Sequence, residues 1–197
     1  MTEGERIEKI LDAAYTCFTR HGVRRTTMDD IAREAGMSRP AVYQYVHNKQ
    51  DAFRRLAQRL LDRALAGART AVRTDGPLGD RLTAVLESKV ALARDLWRDS
   101  PAHAAELLGE DARLSADLID GYNSAMRDLL TEAIGDILPG PDAAEFAEVL
   151  LAFARGIEAD LSDPEAPVRR LRLGVELLAA GLDHQQTYPK TPSQEQP

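Results

Sequence analysis

"TTMDDIAREAGMSRPAVYQYVHNK", residues 26–49, is the stretch on which the fold turns. Thr27 precedes Met28, Ile31, Ala32 and Ala35, an apolar set spaced for one face of a helix. Asp30 lies three residues after Thr27, so the two predict a capped first turn with a carboxylate at the positive end of the helix dipole. Gly36 supplies the left-handed residue that ends such a helix. Ser38 offers a second N-cap, and Pro40 falls in the first turn of the helix it opens, where a missing N–H leaves no bond unmade. Two short capped helices with a glycine at the corner predict a helix-turn-helix.

On a wheel turning about 100° per residue, Val42, Tyr45 and Val46 share an inward arc, and Arg39, Pro40, Tyr43 and Gln44 share an outward one. The outward set suits DNA better than water. Arg39 can fork onto guanine O6 and N7, and Gln44 can pair with adenine N6 and N7. Pro40 or Ala41 can touch a thymine methyl, while Tyr43 can donate to a phosphate.

Upstream, Ile7, Ile10, Leu11, Ala14, Cys17 and Phe18 form one stripe of a helix that ends before Gly22. Cys17 lies on that stripe and reads as a small core residue. The run "RIEKILDAAYTCFTRHGVRRTTMDDIAREAGMSRPAVYQYVHNKQDAFRRL", residues 6–56, resembles the N-terminal domain of the TetR (tetracycline-repressor) family of transcriptional regulators. The likeness rests on the helix ending in "HG", on "TTMDDIAREAG", on "VYQYV", and on "NKQDAF" opening a fourth helix. Val23 and Val46 stand where the family usually places an aromatic ring.

The resemblance implies that Arg39, Pro40, Ala41, Tyr43 and Gln44 meet the major groove. It implies that Thr27, Ser38, Tyr45 and Lys49 hold phosphates. Lys49 also opens the next helix, where exposed N–H groups and an ammonium can face one anion. The implied partners are a palindromic double-stranded operator, a small-molecule effector and a second copy of the chain. The implied function is a ligand-responsive regulator, a repressor released from its operator by a small, mainly apolar or aromatic molecule. The alternative is a helical-bundle small-molecule binding protein without a working DNA head.

Composition is compatible with this reading. The 197 residues, 44% of them hydrophobic, suffice for one good core or two small ones. The single cysteine allows no intramolecular disulfide, no run approaches the roughly 20 apolar residues of a membrane span, and "MTEGERIEKI" is charged rather than signal-like. A cytoplasmic protein with no membrane partner is expected. Net charge is −7, yet residues 1–56 carry 10 Lys/Arg against 8 Asp/Glu while residues 57–197 carry 15 against 24. A protein that grips a polyanion needs positive charge only where it touches. Nucleophile elbow, phosphate loop and Cys/His zinc spacing are missing from the sequence. His103 and Glu106 form one reversed pair rather than the two Glu-x-x-His motifs of a di-metal bundle. No enzyme activity, cofactor or metal is expected.

The fold class expected is all-α, with about nine helices: a helix-turn-helix DNA-binding domain at 1–48, a helical regulatory and dimerisation domain at 49–183, and a disordered tail at 184–197. Beyond the head, helices are expected near 49–72, 78–98, 101–109, 112–135, 141–161 and 165–182. By the resemblance, Trp97, His103, Leu107, Tyr122, Met126 and Phe146 are candidate effector contacts. In the last two helices Val149, Leu150, Phe153 and Ile157, then Leu171, Val175, Leu178 and Leu182, recur at three and four residue spacing. They are the candidate dimer seam.

Overall fold

The computed structural model describes residues 2–104, 115–135, 137–138, 141–159, 161, 163 and 165–187. Among the described residues there are eight helices and no strand: α1 Glu3–His21, α2 Met28–Glu34, α3 Arg39–Tyr43, α4 Lys49–Val72, α5 Leu78–Asp99, α6 Ala116–Ile134, α7 Pro141–Glu158 and α8 Ala166–Thr187. Most of the short helix expected at 101–109, and the tail from 188 onward, lie outside the described residues. The last helix runs past its expected end at 182 to Thr187, because nothing between them breaks a helix until Pro189.

The chain forms two compact units, Met1–Leu65 with Ala91–Ser124, and Ala66–Val90 with Ala125–Pro197. The first contains the expected 1–48 head whole. Its core is built by α1 (Ile10, Leu11, Ala14, Cys17, Phe18), α2 (Met28, Ile31, Ala32), Val42 and Val46 around α3, and Ala52, Phe53 and Leu56 of α4. Phe18 meets Phe53 edge to face, with ring centroids 5.8 Å apart. Val23 and Val46, the two departures from the family's aromatic rings, are both buried here. Burial pushes the Cys17 thiol up, which fits a packing role.

Local chemistry sets the boundaries. Thr2 and Glu5 form a capping box at the start of α1, and Thr27 and Asp30 form one at the start of α2. Gly22 (φ 75°) ends α1, its N–H donating to the Phe18 carbonyl at 2.9 Å, and Gly36 (φ 60°) follows α2. The buried Thr26 hydroxyl lies 2.8 Å from the Gly22 carbonyl and 3.2 Å from that of Cys17, so it covers the carbonyl end of α1.

In the second unit, Leu82, Val85, Leu86 and Val90 of α5, Met126, Leu130 and Ile134 of α6, Leu150, Leu151 and Ala154 of α7, and Leu171, Val175 and Leu182 of α8 are buried. An ion pair lies in this interior: the Lys89 ammonium donates to both Glu158 carboxylate oxygens, at 2.9 and 2.8 Å. Such a pair holds its place only while both partners stay.

The ring of Phe153 on α7 lies directly on the backbone of α8 at Gly174, so a Cβ added there would overlap it. Gly174→Ala is therefore expected to destabilise the protein by about 1–3 kcal/mol through overpacking. Gly121 on α6 has nothing within 4 Å of such a Cβ, and Gly121→Ala should instead stabilise by about 0.5–1 kcal/mol. Urea denaturation of the two variants reads both signs.

Candidate nucleic-acid interface

Five residues of α3 cannot hold a helix by themselves, since nucleation is unfavourable and so few bonds follow it. Packing and capping hold this one. Val42 and Val46 are fully buried, and the Ser38 side chain accepts the Ala41 N–H at 3.3 Å. With that face fixed inward, Arg39, Pro40, Tyr43 and Gln44 are exposed, and Ala41 is half-buried. Tyr43 is 37% exposed, an open aromatic beside four polar or small neighbours.

Arg39 is held rather than loose. Its Nη1 donates to Asp29 Oδ2 at 3.2 Å, its Nη2 donates to the Tyr43 hydroxyl at 3.3 Å, and its guanidinium carbon lies 5.4 Å from the Tyr43 ring centre. Tyr45 packs half-buried against the head core, and its hydroxyl accepts from Arg6 Nη1 at 3.2 Å. That leaves the hydroxyl hydrogen of Tyr45 for a phosphate, with the Arg6 cation beside it.

The two capping hydroxyls differ. Ser38 uses only a lone pair in its cap, so its O–H remains a donor. Thr27 accepts the Asp30 N–H at 3.2 Å and donates to Asp30 Oδ2 at 2.6 Å. Thr27 hydrogen bonds hold the Asp30 carboxyl below its ordinary range, so it stays an acceptor, and Thr27 must turn its hydrogen away from Asp30 to meet a phosphate. Lys49 opens α4 and donates to the Arg24 carbonyl at 2.9 Å, which fixes the ammonium and leaves two donors. Arg6, Asp29 and the Arg24 carbonyl were not singled out by sequence reasoning, because each acts through a partner far away in the chain.

Residues 91–104 and 115–124 are tied to the head inside the same unit. The Tyr15 hydroxyl donates to Asp99 at 2.6 Å, Ser100 Oγ donates to the Thr19 carbonyl at 2.7 Å, and Arg25 Nη2 lies 3.3 Å from His103 Nε2. Arg54 of α4 grips both carboxylate oxygens of Asp117 in α6. The Arg54 hydrogen bonds hold the Asp117 carboxyl at about 2. Because that value is depressed, its contribution is complete above the ordinary carboxylate range and is lost only as pH falls toward it.

Of the candidate effector contacts, Trp97 and His103 are half-buried and Tyr122 is buried, all in the first unit; Met126 is fully buried and Phe146 half-buried in the second. Leu107 and Glu106 lie outside the described residues. Of the candidate dimer residues, Leu150, Ile157, Leu171, Val175 and Leu182 are buried within the chain itself. Phe153 and Leu178 are half-buried and Val149 is 48% exposed. Leu173 (59%) and Leu177 (66%), which are not on the expected seam, are the most exposed large apolar side chains among the described residues. On α8 the stripe of Leu171, Val175 and Leu182 packs inside the unit, and Leu173 and Leu177 lie open on another face of the helix.

Comparison with known proteins adds to this geometry. The sequence profile described as "Bacterial regulatory proteins, tetR family" matches residues 10–56. The HTH-type transcriptional activator FasR of Mycolicibacterium smegmatis is 36% identical over 84 residues, 43% of this chain and 38% of FasR. The uncharacterized HTH-type transcriptional regulator Mb2274c of Mycobacterium bovis is 30% identical over 168 residues, 79% of this chain and 82% of that protein. The solved structure of the transcriptional regulator FadR from Bacillus subtilis in complex with stearoyl-CoA shares the fold, with a TM-score of 0.68 at 20% identity over 88% of this chain and 98% of that one.

The fixed Lys49 ammonium generates a prediction. Lys49→Ala should weaken every duplex by the same factor and reduce the slope of log affinity against log salt by about 0.9 per lost contact. Binding measured across a salt series on two unrelated duplexes checks it. An unchanged slope would leave Lys49 with only its bond to Arg24.

Proposed function

Because this chain belongs to the tetR family of bacterial regulatory proteins, we propose that it is a homodimeric, ligand-responsive transcriptional regulator, and that it acts as a repressor. The observation that carries this reading is the division of α3. Val42 and Val46 are locked into the core while Arg39, Pro40, Tyr43 and Gln44 face outward beside Lys49 and the Ser38 hydroxyl. Base-edge readers and phosphate donors thus lie within the one short stretch 38–49, on α3, the turn after it and the start of α4. Each protomer lays its α3 in a major groove, and two heads require half-sites about one helical turn apart on a palindromic operator.

Residues 91–104 and 115–124 supply the switch. They carry Asp99, Ser100, His103 and Asp117, each bonded to α1, the loop after it, or α4. They also carry Trp97 and Tyr122, two of the expected effector contacts. An effector that shifts this segment pulls the head with it and spoils the match to one half-site. The structure of similar fold bound to stearoyl-CoA, a molecule with a long apolar chain, supports an effector with a substantial apolar part. Coupling of about 1–3 kcal/mol would weaken operator binding roughly 5- to 150-fold, and the operator must weaken the effector by the same factor.

Selection from random duplexes, with and without candidate effectors, tests the function. The expected result is a palindromic consensus whose recovery falls when the effector is added. No enrichment at any salt would favour a helical-bundle binding protein without a working head.

The second copy is proposed to dock on Val149 and Phe153 of α7 and Leu173 and Leu177 of α8. These lie side by side, since the Phe153 ring rests on Gly174 between the two leucines. Leu177→Glu should stay folded, because Leu177 is already 66% exposed in one chain, yet sediment as a monomer, since the charge would be buried unpaired in the dimer. Leu171→Glu, at a fully buried position, should unfold instead. A Leu177→Glu dimer would move the interface elsewhere.

A further inference from the structure

We propose that Asp29 is a positioning residue that sets DNA specificity by presenting the Arg39 guanidinium to a base edge; this rests on the reading of Arg39 as a base reader. Asp29 is the second residue of α2, and its carboxylate reaches across the turn to Arg39 Nη1 on α3 at 3.2 Å. On the other side the Tyr43 hydroxyl takes Arg39 Nη2 at 3.3 Å, and the Tyr43 ring lies 5.4 Å from the guanidinium. Two neighbours on different helices thus hold one side chain from two directions.

Stability does not account for the arrangement. The Arg39 and Asp29 side chains are 57% and 55% exposed, and an ion pair so open to water contributes little. Helix capping does not require Asp29 either, because the neighbouring Asp30 closes the capping box with Thr27. A carboxylate on a face that meets a polyanion works against affinity. Its gain lies in orientation. Of the five guanidinium N–H donors, Asp29 and Tyr43 take one each and three remain, enough for the two that guanine O6 and N7 accept. A guanidinium already held loses less rotamer freedom on docking. It is also kept from turning to the nearest phosphate, a contact that carries no sequence information.

Asp29 therefore exchanges some non-specific affinity for selectivity, and the two quantities move in opposite directions when it is removed. The test uses the full chain, as wild type, Arg39→Ala, Asp29→Ala and Asp29→Asn. Each is measured against its selected consensus duplex, against the same duplex altered at the base pair whose preference Arg39→Ala abolishes, and against a random duplex. Asp29→Ala is expected to reduce discrimination at that base pair about tenfold while binding the random duplex as tightly as wild type or tighter. Asp29→Asn, which keeps an acceptor oxygen at the same reach, is expected to retain most of the discrimination. Full discrimination in Asp29→Ala, or an equal loss on all three duplexes, would overturn the role of Asp29 while leaving Arg39 a reader. A consensus unchanged in Arg39→Ala would overturn both, since Asp29 acts only through Arg39.

Discussion

The burial of Val42 and Val46 fixes everything that α3 presents. A five-residue helix has almost no stability of its own, so its place comes from two valines inserted among α1, α2 and α4 and from one serine cap. Once they are seated, the rotation of the helix is settled. Arg39, Tyr43 and Gln44 have no direction to point except outward. Phe18 against Phe53 closes the same core from the α1 and α4 side, which brings Lys49 within reach of the Arg24 carbonyl. The chemistry of the outer face is thus a consequence of packing on the inner one.

The same core extends beyond the head. Leu96 of α5 packs against it, and Tyr15, Thr19, Arg25 and Arg54 each bond to a residue between 99 and 117. A tight, directional set of hydrogen bonds transmits displacement better than a loose apolar contact, because its members lose their geometry over a fraction of an ångström. The acidic balance of residues 57–197 keeps the remainder of the molecule from competing for phosphate.

Much of this was legible in the sequence wherever the physics is local. Thr27 with Asp30, Ser38 with Pro40, and Gly22 and Gly36 with positive φ each announce a helix end within four residues, and the helix boundaries followed. Periodicity likewise picked out the buried stripe of α1 and the inward valines of α3. It could not say what a stripe packs against. In α8 the spacing of Leu171, Val175 and Leu182 marks a stripe that is buried in the chain, while Leu173 and Leu177 on another face are exposed. The partners of Asp29, Arg6 and Ser100 are 10, 39 and 81 residues away, where no spacing rule reaches. His103 stands in the sequence three residues from a carboxylate, whereas in the structure its ring nitrogen Nε2 lies 3.3 Å from Arg25 of the head.

Hydrogen–deuterium exchange on the full chain, with and without its selected duplex, tests the central claim most directly. In the free protein the short α3 and its flanking turns should exchange fast, since so brief a helix opens locally at little cost. With the duplex bound, protection is expected to be strongest over residues 38–49 and to extend to the start of α2. Protection that falls elsewhere, with 38–49 unchanged, would contradict the assignment of α3 as the DNA-reading element.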